Sequence, residues 1–514
     1  MFVNLFQPLR VGDRARMAAL LLVFLTLAGA ALTPDLPPDG DDVSYVTLAQ
    51  SLASGRGYVN PVYPGDPPEL QYPPLFPLLL TPVISVFGQN LLLLKLIPVL
   101  AGALALIAVF ALLRPRLGPD RAFLIAALTG TNGYFLSIST QIMSETTYVA
   151  LSALALLLVR RAAEQGGAGR AAFAGLTVAA AIYARSIGVA LVPAGCAALL
   201  LSRRRREALV LAGIALLLTS PWIWRSIALR NSYLSQLFEA PLAGTGGHSG
   251  PLLWASRLLY NAPRYAGKVT ADLFFHPFLT DVDPYHPLKI ALSLILTAGI
   301  VVGLGAAARE AFSVQRSAFS VQNADATLLY LPIYVGVCLI WPYHDARFLL
   351  PVLPFLFEHG LRGAKALGGR IRLRRLAGEA AGLLTVFGLA GCVSVAYDNR
   401  VQFYTDEMAR YREACLWVQE RTPPEAVLLC RKPREAAFWS GRRAWWYTGS
   451  QPAAEVFATA RRAGATHLLI NDFPIAGVNL AERFTAVLRE GASHFRPVHQ
   501  TAPPRVTIYE IRLK

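Results

Sequence analysis

The chain has 514 residues, of which 54% are hydrophobic and only 16% charged, with a formal net charge of +16. A soluble domain carries about 25% charged residues, so this balance excludes a purely aqueous globule. The basic excess is spread over alternate connections between apolar runs rather than gathered on one face, which excludes a nucleic-acid-binding surface and leaves a topology signal.

Apolar runs long enough to cross about 30 Å of hydrocarbon recur along the chain. About eleven are expected, at 17–33, 90–113, 122–139, 144–159, 171–184, 187–201, 208–224, 288–307, 326–342, 347–361 and 377–396, the fifth, sixth and tenth being short. Arg10, Arg14 and Arg16 precede the first. Arg114, Arg116 and Arg121, then Arg160, Arg161 and Arg170, then Arg203 to Arg206, then Arg309 and Arg316, then Arg362 to Arg375 fall in every second connection. Positive loops stay inside, so this side is cytoplasmic. The N-terminus is then cytoplasmic and the C-terminus extracytoplasmic, as expected for a multi-pass protein of the plasma membrane. The first run is read as a span rather than a cleaved signal, because ten more follow it.

Between the first two spans lies a long outer loop, 34–89. Asp41 or Asp39 is placed to cap a helix over about 42–54, with Tyr45, Leu48, Ala49 and Leu52 on one face at helical spacing and Gly55 and Gly57 ending it. Such a helix is expected to lie on the membrane surface. A proline-rich turn and Tyr72-Pro73-Pro74 lead to a short apolar segment, 75–87, expected to be interfacial or re-entrant. A second long outer segment, 225–287, interleaves Arg225, Arg230, Arg257, Arg264, Lys268 and His276 with aromatics. The cytoplasmic loop 308–325 repeats Ala-Phe-Ser-Val-Gln at 311–315 and 318–322.

From about 397 the composition changes. A helix over 404–421, strands at Ala426–Cys430, His467–Asn471 and Val506–Arg512, and helices near 452–463 and 476–491 predict a small α/β domain outside the membrane. The expected architecture is a transmembrane domain over 1–396 and an extracytoplasmic domain over 397–514. Cys415 and Cys430 lie in the latter and can pair in an oxidising compartment. The aromatic group Trp439, Trp445, Trp446 and Tyr447 suits packing or membrane contact, with sugar stacking as the alternative.

Charged groups near membrane depth are costly and face cavities, so the outer turns carry the candidate chemistry. They hold Asp41 and Asp42, Ser144 and Glu145, Arg185, and His344, Asp345 and Arg347. Transfer of a sugar from a lipid phosphate needs such a combination. A carboxylate takes the proton of the attacking hydroxyl, and arginines hold the departing phosphate. An aspartate with a pKa of about 4 takes that proton late, as the new sugar–oxygen bond forms. Lys95 is a weaker phosphate ligand, able to snorkel instead.

These stretches resemble a family. Gly40-Asp41-Asp42-x-x-Tyr45, Gly55-Arg56-Gly57-Tyr58 and Tyr72-Pro73-Pro74-Leu75-Phe76-Pro77 look like the first outer loop of the GT-C fold glycosyltransferases. Ser144-Glu145-Thr146-Thr147-Tyr148, Ala184-Arg185-Ser186, Ser220-Pro221-Trp222 and Arg347-Phe348-Leu349-Leu350-Pro351 are similar to the family's later segments. The likeness spans roughly 15–395 and is nearest to protein O-mannosyltransferases, lipid A aminoarabinose transferases and lipopolysaccharide galacturonosyltransferases. It implies a mainly α, GT-C-like membrane protein that moves a hexose or pentose from a polyprenyl-phosphate donor, with inversion, to a hydroxyl of a cell-envelope glycolipid, glycan or protein. It implies Asp41 as base, with Asp42 in place of the commoner glutamate beside it and Glu145 at the second-loop acidic position, binding acceptor or a metal. It also implies Arg347 as the donor-phosphate ligand; the candidates around the substrate are Arg185, His344, Asp345, Tyr45, Tyr72 and Lys95. A divalent cation, Mg or Mn, would sit at Asp41 and Asp42 in those members that use one. The competing readings are a transporter or lipid flippase, a diphosphate-donor glycan ligase or polymerase, and a non-catalytic scaffold. The absence of duplicated halves argues against the first, and the 225–287 segment favours the second.

Overall fold

The computed structural model describes residues 11–37, 40–229, 236–238, 251–317, 325–370, 375–401, 403–447, 453–475 and 478–512. Asp39, Arg230 and the second copy of the Ala-Phe-Ser-Val-Gln repeat lie outside the described residues. The chain divides into two compact units. One comprises Met1–Leu32, Leu70–Phe76 and Lys95–Arg400; the other comprises Thr33–Glu69, Pro77–Leu94 and Val401–Lys514.

The first unit is helical. Among the described residues six helices are long and apolar enough to cross a membrane, and seven if the bent pair Pro119–Gly130 and Gly133–Ser139 is one span. The expected segments at 171–184, 187–201 and 326–342 coincide with shorter apolar helices, Ala168–Ala184, Ser186–Leu201 and Ala326–Ile340. The segment at 347–361 is divided between a 3-10 turn, Ala346–Val352, and the helix Leu353–Arg370. The count by length is therefore six or seven, against the eleven expected. The difference arises because breaks between helices are invisible to hydropathy. The 62° bend after Gly130 shows why. Asn132 accepts the Phe135 amide at 3.0 Å and donates to the Leu273 carbonyl at 3.0 Å, so it caps a new helix instead of continuing the old one.

Close packing in this unit depends on glycine where helix Pro287–Ser317 crosses Leu353–Arg370. A Cβ placed on Gly303 would overlap the His359 carbonyl, and one on Gly363 would overlap that of Gly299. Gly303→Ala is expected to force these backbones apart. It should cost about 1–3 kcal/mol, as overpacking of a filled interior does, read as a lower thermal midpoint in detergent.

The second unit holds the α/β region. Its five-stranded sheet runs Arg443–Trp446, Val427–Cys430, His467–Asn471, Val506–Ile511, Phe495–Gln500 in spatial order. The first three strands are parallel, and the last two pair antiparallel. The strands Val427–Cys430 and His467–Asn471 are nearly continuous buried runs, as sheets covered on both faces require. Helix Asp406–Arg421 packs on one face, around Leu428, Cys430, Leu469 and Ile508. Helices Ala453–Ala463 and Leu480–Glu490 cover the other, around Leu429, Leu468, Ile470 and Phe484. The strands Arg443–Trp446 and Phe495–Gln500 and the helix Pro433–Ser440 were not expected from sequence.

Cys415 and Cys430 share the first of these cores as free thiols. Burial pushes the Cys430 thiol up to about 12. Trp439 and Tyr447 are core residues, one in each cluster, whereas Trp446 is exposed.

The same unit contains the first loop. Helix Asp42–Ala53 forms as expected, but it is not a surface helix: Asp42 to Ala49 are all buried. It packs against Pro433–Ser440. The loop that follows lies along the edge strand. The Ala444 amide donates to the Val62 carbonyl at 2.9 Å, Arg443 pairs with Asp66 at 2.9 Å, and Tyr63 meets Trp445 edge-on at 5.4 Å. An exposed sheet edge is thereby covered. Leu75–Phe87 forms the short apolar helix expected.

Candidate active site

In the helical unit, Glu145 opens helix Glu145–Gln165 and is fully buried. A carboxylate in a first turn is favoured by the helix dipole, but dipole alone does not offset burial. The compensation comes from Arg185, whose Nη1 lies 2.5 Å from Glu145 Oε1 and donates to Ser144 Oγ at 3.2 Å. Arg185 reaches this position because it is extended, at φ −150° and ψ 131°, between helix Ala168–Ala184 and the 3-10 turn Ser186–Ala190. Glu145 Oε2 has no hydrogen-bond partner among the described residues.

A second pair stands at the turn before Leu353. Asp345 Oδ1 accepts the Arg347 amide at 2.9 Å, capping the 3-10 turn, and Oδ2 lies 3.7 Å from Arg347 Nε. Tyr134 donates to the same carboxylate at 3.2 Å and lies within electrostatic range of Asp345, Arg347 and Glu145. The two pairs are tied together by buried tyrosines. Tyr148 and Tyr330 share a hydrogen bond of 2.9 Å, Tyr334 stacks on Tyr148, and Tyr334 donates to the Phe348 carbonyl at 2.7 Å. Each phenol is satisfied, so the network is rigid rather than a source of orphaned polarity.

His344 meets Tyr260 edge-on at 6.0 Å, and Arg264 lies over the same Tyr260 ring at 3.3 Å. Burial and the nearby charges of Lys268 and Arg264 lower the His344 pKa, which favours neutral imidazole. Tyr72 and Lys95 are buried in this unit, at 2% and 1% exposure.

Asp41, Asp42 and Tyr45 belong to the other unit. Asp41 occupies the N-cap position of helix Asp42–Ala53, yet its side chain makes no capping hydrogen bond. Arg434 Nη1 lies 3.5 Å from its Oδ1. Asp42 and Tyr45 are buried. No group of three His, Cys, Asp or Glu side chains able to hold a metal ion occurs among the described residues.

Sequence reasoning had singled out Glu145, Arg185, Asp345 and Arg347, which the fold brings to one cluster. It had missed Tyr134, whose only signal was the Thr-Asn-Gly break before it. It had also missed Arg434, some 390 residues from its partner, for which the sequence carried no signal.

Residues 71–224 match the family model of dolichyl-phosphate-mannose-protein mannosyltransferases, a segment that includes Tyr72, Lys95, Tyr134, Glu145 and Arg185. A search of curated protein sequences returns no match. Among solved structures the chain resembles ArnT from Cupriavidus metallidurans bound to undecaprenyl phosphate. The TM-score is 0.58 and the identity 13%, over 96% of this chain and 97% of that one. It also resembles the oligosaccharyltransferase AglB from Archaeoglobus fulgidus in complex with an inhibitory peptide and a dolichol-phosphate. There the TM-score is 0.55 and the identity 12%, over 98% of this chain and 75% of that one. At such identity these likenesses establish the fold. With the apolar helices they give a helical membrane chain of the GT-C fold, in which residues 71–224 match a glycosyltransferase family model.

Proposed function

We propose that this protein moves a sugar from a polyprenyl-phosphate donor to an acceptor hydroxyl on the extracytoplasmic face of the plasma membrane, inverting the anomeric centre. The acceptor oxygen attacks the anomeric carbon, the bond from that carbon to the phosphate oxygen breaks, and polyprenyl phosphate leaves. Asp41 takes the hydroxyl proton as the new bond forms. Arg347 holds the donor phosphate, with Arg185, Lys95, Tyr72 and His344 as further ligands, and Tyr45 and Asp42 support the base. Glu145 binds the acceptor, and Asp345 fixes Arg347. The acceptor class is a cell-envelope glycolipid, glycan or protein.

The observation that carries this reading is the cluster of the fully buried Glu145 with the partly exposed Arg185, Asp345 and Arg347 around Tyr134. Paired carboxylates and guanidiniums in a helical membrane unit are costly to keep, and they suit an anionic lipid headgroup and a polar acceptor. The bound lipids named for the solved relatives, undecaprenyl phosphate and dolichol-phosphate, support the same donor class. The basic loops on alternate connections support a cytoplasmic N-terminus and an extracytoplasmic C-terminal region.

The test is a donor screen. Purified protein in detergent or liposomes receives radiolabelled sugars on undecaprenyl phosphate, with envelope extract as acceptor, beside the same sugars on undecaprenyl diphosphate. Transfer from the monophosphate donors is the expected result. Transfer from diphosphate donors alone would replace the reading with a glycan ligase or polymerase, and lipid translocation without transfer would replace it with a flippase. Within that screen Arg347→Ala is expected to raise the donor KM about 10- to 100-fold, the loss of one charge-assisted contact of about 1.5–3 kcal/mol, with a smaller effect on kcat. An unchanged donor KM removes Arg347 from the phosphate site.

A further inference from the structure

The first loop and the C-terminal α/β region lie in one unit, and the start of helix Pro433–Ser440 brings charge to the base of the first-loop helix. Arg434 Nη1 is 3.5 Å from Asp41 Oδ1, the two side chains being 26% and 23% exposed. The same guanidinium lies within electrostatic range of the Tyr63 phenol. Its neighbour Glu435 is buried, pairs with Lys432 at 3.8 Å, and lies within electrostatic range of Asp41.

Two carboxylates thus lie near one another at this point, Asp41 and the buried Glu435, and the fully buried Asp42 is the next residue in the chain. Like charges and burial both favour protonation, and a protonated aspartic acid cannot accept the hydroxyl proton. Burial already pushes Glu435 above its ordinary range, with Lys432 opposing. An arginine cannot lose its charge, so its contact acts on Asp41 at every pH. The side chain of Asp41 makes no hydrogen bond to the helix N-terminus, and the guanidinium is a contact that orients Oδ1.

We infer that Arg434 is a positioning residue for the transfer, holding the Asp41 carboxylate ionised and in a fixed orientation, so that the C-terminal region completes the catalytic apparatus. This rests on the reading of Asp41 as the base. It gives the α/β region a part in the reaction that its strands and motifs do not suggest.

The experiment is the pH profile of kcat/KM, which reports groups of the free enzyme. It uses whichever undecaprenyl-phosphate sugar the wild type turns over in the screen above. A carboxylate held down by an arginine ionises at lower pH, so losing the partner moves the acid limb upward. In Arg434→Met the midpoint is expected to rise by about half a unit to one unit, less than a buried Arg–Asp contact gives because the pair is partly solvated. Arg434→Lys is expected to recover most of that shift. Arg443→Met cuts another ion pair between the first loop and the sheet, to Asp66 at 2.9 Å, and is expected to leave the limb where the wild type has it. The midpoint does not depend on how much protein is folded, so loss of yield alone cannot imitate the shift. An unmoved limb in Arg434→Met, or an equal shift in Arg443→Met, overturns the inference. Transfer that survives Asp41→Asn overturns the base assignment instead, and a wild type that turns over no donor overturns both.

Discussion

Asp41→Asn is expected to reduce sugar transfer to background while the protein remains inserted and folded. Asparagine matches aspartate in shape but cannot accept a proton. General-base assistance is worth about 10²–10⁴ in rate, and the negative charge that stabilises the developing oxocarbenium character of the sugar is lost with it. The cost to folding should be small. The side chain of Asp41 makes no capping hydrogen bond, so the usual loss of about 1 kcal/mol for an N-cap does not apply, and its ion pair with Arg434 is partly solvated. The measurement is transfer of labelled sugar alongside the thermal midpoint in detergent. Wild-type turnover in the variant removes Asp41 from the mechanism, whereas inactivity with a collapsed midpoint leaves Asp41 as a structural residue.

Arg185→Met is expected to have the largest effect on stability. Glu145 is fully buried, and Arg185 is its close countercharge, itself 18% exposed. Removing one partner of such a pair leaves an uncompensated charge and costs about 3–5 kcal/mol. That is a large part of a typical total of about 5–15 kcal/mol, so yield and thermal midpoint should both fall sharply. Adding Glu145→Gln removes the orphaned charge. The double variant Glu145→Gln/Arg185→Met is expected to regain most of the midpoint but not the transfer. A double variant with full activity would show that the pair serves folding only; one as unstable as Arg185→Met would show that the charge is not what the arginine offsets.

Asp41 sits at the N-cap position that the sequence pattern predicts, but its side chain makes no capping hydrogen bond. Glu145 was noticed because an acid among apolar residues is expensive, and its partner Arg185 was noticed for the same reason. Their contact, however, depends on a break between two helices that hydropathy does not register. Tyr134, Tyr330 and Tyr334 carry no signal in the sequence, because a tyrosine in an apolar run looks the same whether or not its hydroxyl has a partner.

By itself the sequence determined that the chain is a mainly helical membrane protein with a small α/β appendage, and which turns between apolar runs carry costly charges. These follow from local quantities: apolar run length, helical periodicity and the placement of charged residues between the runs. The tertiary structure alone decided how those charges pair, where helices break within apolar runs, and that Arg434 meets Asp41. It also decided that Cys415 and Cys430 share a core without bonding and that the first-loop helix is buried rather than surface-lying. Those facts depend on contacts between residues tens to hundreds of positions apart, and a side chain's own identity carries no record of which distant group will neutralise it.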